Sequence, residues 1–115
     1  MKYLLLIYND ESLLTQSVTA DCYKKSTAVA DDLAKAGQLL GVAPLQPSAT
    51  AKTVRYKDGK RMITSGPFAE THEQLGGYFL VDVPTMEEAL EIAVKLPGGQ
   101  YGSVEVRQLI ELPGL

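Results

Sequence analysis

The sequence holds one imidazole and one thiol, His72 and Cys22. His72 lies in the densest polar stretch, Thr64-Ser65-Gly66-Pro67-Phe68-Ala69-Glu70-Thr71-His72-Glu73-Gln74-Leu75-Gly76-Gly77, which puts a hydroxyl, carboxylates and glycines around it. An imidazole titrates near neutral pH, so His72 is the natural general acid or base, with Glu70 and Glu73 available to orient it. The competing reading is that Glu73 and Gln74 cap a helical turn and leave His72 exposed. Ser65 supplies a hydroxyl, but no Gly-x-Ser-x-Gly elbow surrounds it. Asp10 and Glu11 follow the first apolar run, with Tyr8 beside them. They could line a pocket entrance or form a solvated turn. Candidate catalytic residues are therefore His72, Glu70 and Ser65; candidate ligand-binding residues are Tyr8, Asp10 and Phe68, the last as an apolar wall.

Other chemistries lack their residues. One histidine and one cysteine are too few for a structural zinc site, and no spaced acidic loop suggests calcium. No metal is expected. No cofactor is expected either, since neither a P-loop nor a GxGxxG motif is present. Cys22 falls on the apolar stripe of a helix, which reads as a buried, inert thiol. Lys52, Arg55, Lys57, Lys60 and Arg61 concentrate positive charge, but a solvent-facing hairpin explains them better than nucleic acid.

These groups need a scaffold of limited size. A chain of 115 residues, 45% hydrophobic and 22% charged with a formal charge of −3, suits one ordinary globular domain over residues 1–115. The lone cysteine and the short first apolar run predict a cytoplasmic protein with no membrane span.

Met1–Tyr8 reads as a strand with both faces apolar. Thr19 is the expected N-cap of a helix reaching about Ala36, with Gly37 as its stop. Gln38–Val42 follows as a short strand ended by Pro44 and Pro47. Asp58-Gly59 joins Thr53–Lys57 to Lys60–Ser65 as a tight hairpin. Thr71–Gln74 has capping-box spacing for one helical turn closed by Gly76-Gly77. Tyr78–Val83 is the next strand. Thr85 starts a helix with Met86, Ala89, Leu90, Ala93 and Leu96 on one face, and Ser103–Glu111 is the last strand.

The order is a ferredoxin-like βαββαβ of the α+β class with an extra β-hairpin. Its two helices cover one sheet face. The apolar residues left on the other predict a homodimer packed sheet to sheet.

Several of these stretches together resemble a known family. They are Met1–Tyr8 with Asp10-Glu11, Gly66-Pro67-Phe68-Ala69-Glu70-Thr71, Glu73-Gln74-Leu75-Gly76-Gly77-Tyr78 and Tyr101-Gly102-Ser103-Val104-Glu105-Val106-Arg107. The chain is similar to the YCII-related family, in the branch named for an Asp-Gly-Pro-Phe (DGPF) motif. The resemblance implies a dimeric α+β barrel and an enzymatic role of unknown reaction. It also implies a setting beside transcriptional regulators of the sigma-factor type. Ser65 replaces the motif aspartate, and no histidine stands early in the first helix, where shorter members carry one. The expectation is a small cytoplasmic homodimer that binds a small molecule in the cleft between sheet and helices and acts by acid–base chemistry. The alternative is a non-catalytic sensor or protein-interaction module linked to transcriptional regulation. Neither nucleic acid nor membrane is expected as a partner.

Overall fold

In a computed structural model, which describes residues 1–69 and 71–114, six strands and two α-helices follow one another along the chain, four of the strands in succession between the helices. β1 (Lys2–Asn9), α1 (Gln16–Lys35), β2 (Leu39–Pro44), β5 (Gln74–Asp82), α2 (Met86–Lys95) and β6 (Gly102–Gln108) form the core unit. β3 (Lys52–Lys57) and β4 (Lys60–Ser65) pair as a separate two-stranded sheet. The main sheet runs β2-β5-β1-β6 with every neighbouring pair antiparallel. That order is the ferredoxin-like arrangement of the α+β class, with the hairpin inserted between β2 and β5.

Alternation along the central strands decides what each face does. Tyr3, Leu5, Phe79 and Val81 point to the helices and are buried with Leu33, Ala89 and Ile92. Leu4, Leu6, Tyr8, Tyr78 and Leu80 point the other way and are only half-buried. On that face Glu105 and Arg107 of β6 form an ion pair opposite Leu6 and Leu4.

Element boundaries depart from the sequence expectation in instructive ways. The N-cap of α1 is Thr15, not Thr19: the Thr15 hydroxyl accepts from the Val18 amide at 3.3 Å. The helical turn expected at Thr71–Gln74 does not form. Instead Gln74 Nε2 donates to the carbonyls of Ala69 (3.1 Å) and Thr71 (2.8 Å), and Gln74 opens β5. Gly76 and Gly77 lie inside β5 because neighbours come close. A Cβ on Gly77 would sit 3.0 Å from the Ala43 carbonyl oxygen. Pro44 belongs to β2, which tolerates it as an edge strand. On α2, Ile92 is buried where Leu90 was expected, and Leu90 is exposed. β6 stops at Gln108, short of Glu111. The hairpin forms as expected, with Asp58 and Gly59 both at positive φ (52° and 75°), as a type I′ turn requires.

Candidate functional site

The two helices pack differently. α2 buries Ala89, Ile92 and Ala93, whereas α1 buries only Ala30 and Leu33, both in its C-terminal half. From its first turn onward, the side of α1 facing the cleft carries Thr19, Cys22, Ser26 and Ala30 at helical spacing. These side chains are too small to fill the space above β2, which leaves a cleft of about 670 Å³. That size suits a small-molecule ligand. Leu14, Leu39, Val42 and Phe79 supply apolar wall; Asn9, Glu11, Tyr23 and Asp31 add polar groups. Cys22 is half-buried on this wall rather than sealed in the core, and burial pushes its thiol above the usual range.

Asn9 ends β1 inside the cleft. It is 9% exposed, and its Nδ2 donates to the Gly98 carbonyl at 2.9 Å. Glu11 bridges two loops. Its carboxylate accepts the Ser48 amide at 2.9 Å and the Ser48 hydroxyl, tying the turn after β1 to the segment after β2.

Between them stands Asp10. Its amide donates to the Tyr101 carbonyl at 2.9 Å, while Oδ1 accepts the Ser12 amide (3.0 Å) and hydroxyl (2.6 Å). Oδ2 lies 2.9 Å from His72 Nε2. The Asp10 side chain is 14% exposed and that of His72 is 85% exposed. The Ser12 hydroxyl bond holds the Asp10 carboxyl below its ordinary value, assisted by the Ser12 amide and the His72 charge and opposed by desolvation. The carboxylate is thus fixed, and the imidazole projects from it towards solvent.

The expected site residues do not all meet. Asp10 and His72 are brought together; neither lines the cleft, although the chain neighbours of Asp10, Asn9 and Glu11, both do. Tyr8 points to the opposite sheet face, across from Ser103 and Leu75. Ser65 ends β4, where its hydroxyl accepts Lys52 Nζ at 2.7 Å. Phe68 is 72% exposed, with the Arg55 guanidinium 5.1 Å from its ring centroid. Glu70 lies outside the described residues. Glu73 accepts the Ser103 hydroxyl at 2.8 Å and does not orient His72. Among the described residues, no group of three or more His, Cys, Asp or Glu could hold a metal ion. Sequence reasoning passed over Asn9, Glu11 as a bridge and the cleft wall itself. The small-residue stripe at 19, 22, 26 and 30 was the available signal.

A ferredoxin-like sheet with a ligand-sized cleft under one helix, and a histidine–carboxylate pair formed by the turn after β1, defines a small α+β protein. The chain belongs to the YCII-related family: the model of the YCII-related domain matches residues 1–113. An uncharacterized protein of Rhizobium meliloti (strain 1021) is 39% identical over 114 residues, covering 95% of this chain and 92% of its own. Among solved structures, the 5-chloro-2-hydroxyhydroquinone dehydrochlorinase TftG from Burkholderia phenoliruptrix AC1100, in complex with 2,5-dihydroxybenzoquinone, superposes with a TM-score of 0.59. It is 12% identical and matches over 96% of this chain and 94% of its own. At that identity the likeness concerns the fold. Among the described residues no helix is long and apolar enough to cross a membrane.

Proposed function

We propose that this protein is a small cytoplasmic homodimer that binds a compact, mostly apolar molecule under α1 and performs acid–base chemistry on it with His72 and Asp10. The reading is supported by a cleft of about 670 Å³ together with a formed histidine–carboxylate pair whose Asp10 stands between the cleft-lining Asn9 and Glu11. With Nε2 on Asp10, the Nδ1 of His72 remains for a ligand. TftG, a structural neighbour solved with a small cyclic ligand, supports the size class. Ser65 stands where the DGPF branch has aspartate, so the carboxylate falls to Asp10 in this scheme. The half-buried Leu4, Leu6, Tyr78 and Leu80 supply the surface for the second copy.

The test is a thermal-shift panel of small cyclic alcohols, quinones and phenols, followed by a turnover assay on each hit. Wild-type protein turns over at least one hit. His72→Ala retains binding and loses at least about 100-fold in rate. Ser26→Trp, which fills the cleft, loses binding. Unchanged turnover in His72→Ala removes His72 from the mechanism, and unchanged binding in Ser26→Trp removes the cleft.

The second reading, a non-catalytic sensor or interaction module tied to transcriptional regulation, is favoured by the hairpin. Val54, Tyr56 and Ile63 lie on exposed strands, 58%, 77% and 61% exposed. Hits that bind without turnover, with a regulator captured by wild type and lost in Tyr56→Ala, select that reading.

A further inference from the structure

The cleft wall discriminates among small molecules by charge and by hydrogen bonding. Its charged residues are Glu11 and Asp31, and among the described residues no lysine, arginine or histidine lines it. The Glu11 carboxylate faces Ser48, a neutral partner, so its negative charge is not cancelled there. An anionic ligand would meet two carboxylates with no counter-charge on the wall, and like charges repel.

The cleft also presents an acceptor that no donor among the described residues occupies. Asn9 is 9% exposed and its Nδ2 is committed to the Gly98 carbonyl; its Oδ1 takes no donor from the described residues and is not sealed from solvent. Gly76 lies against this oxygen: a Cβ there would sit 3.0 Å from Oδ1. Glycine keeps that side of the acceptor open, and both residues line the cleft. An acceptor that opens into the cleft and has no protein donor can exchange its water for a donor carried by the ligand.

We propose that the cleft selects a ligand without negative charge, apolar over most of its surface, whose hydroxyl or amine donates to Asn9 Oδ1. This rests on the cleft being the binding site. It adds a residue, Asn9, that sets specificity and does not depend on His72 being catalytic.

Cys22 on the same wall supplies the readout, because an occupied cleft slows its alkylation by N-ethylmaleimide. The probes are benzyl alcohol, benzylamine, toluene and benzoate, one ring with four different ends. The alcohol and amine protect Cys22 best, and benzoate is at least about tenfold weaker than benzyl alcohol. Benzyl alcohol exceeds toluene by roughly 3- to 10-fold, the range for one neutral hydrogen bond. Asn9→Leu removes that preference. Gly76→Ala, which leaves the Asn9–Gly98 bond in place, reduces it by crowding the acceptor. Benzoate matching benzyl alcohol overturns the charge selection. A preference for the alcohol that persists in both variants overturns the role of Asn9. Absence of protection by all four probes, with no thermal shift, overturns the cleft as a binding site and so the reading beneath.

Discussion

Gly98→Ala tests whether the inner end of the cleft is packed as described. Gly98 is buried in the 3₁₀ turn Pro97–Tyr101, and its carbonyl holds Asn9. A Cβ there would lie 2.5 Å from Ile7 Cγ2, whereas ordinary contact begins at 3.4 Å. The two groups must separate by about 0.9 Å, the difference of those distances. Ile7 cannot swing away freely, since a β-branched side chain in a paired strand is stiff at χ1. Overpacking of this kind costs about 1–3 kcal/mol, and misplacing the Asn9 bond adds about 1 kcal/mol. The expected loss is therefore about 2–4 kcal/mol, read by urea unfolding with circular dichroism at fixed protein concentration. Ile7→Ala removes the obstructing methyl, so in that background Gly98→Ala costs at least about 1 kcal/mol less. Gly99→Ala is the control. Its Cβ meets only Val104 Cγ2, at 3.9 Å, and the change stays within about 0.5 kcal/mol. Additivity of Ile7→Ala and Gly98→Ala, or equal costs at 98 and 99, refutes the packing argument.

Asp10 contributes to stability in a pH-dependent way. Its folded carboxyl titrates below the ordinary value of 3.8, so its contribution is complete above that value and is lost as pH falls through the lowered one. Asp10→Asn therefore destabilises at neutral pH and gives a flatter acid limb, the two unfolding curves converging in strong acid. Parallel curves count against it. Thr15→Ala and Thr85→Ala each lose an N-cap and cost about 1 kcal/mol, while Thr19→Ala shows no capping loss; the reverse ranking of Thr15 and Thr19 moves the helix start. Leu6→Asp on the half-buried sheet face yields a folded monomer in analytical ultracentrifugation where wild type sediments as a dimer. A wild-type monomer at high concentration removes the sheet-to-sheet assembly.

What could be read from the sequence followed from how local each signal is. The Asp58-Gly59 turn, the Thr85 cap and the apolar first strand need only neighbours a few positions apart and formed as expected, whereas β5 opens four residues before the expected Tyr78. The start of α1 was misread because Gln16 and Ser17 show no apolar period, so the pattern becomes visible only at Val18. Gly76-Gly77 looked like a helix stop, yet their role depends on Asn9 and Ala43, distant in sequence. The cleft was hidden for the same reason. Small residues on one helix face read as an easily packed helix until the fold shows that nothing from β2 rises to meet them. Asp10 was visible as a carboxylate at a strand end; its pairing with His72 depends on the path of the loop before β5.

β1 also raises a question of identity between its two sides. Tyr3, Leu4, Leu5, Leu6 and Ile7 are all apolar, so hydrophobicity alone hardly distinguishes one face from the other. A slip of one residue would exchange the set that meets the helices for the set turned outward, at little cost in apolar burial. Asn9 breaks that degeneracy. In the observed alignment its amide reaches the Gly98 carbonyl, and a slip would turn Asn9 outward and leave that carbonyl of a buried residue without its donor. The residue assigned to greeting the ligand therefore also works as the index mark by which the central strand finds its place.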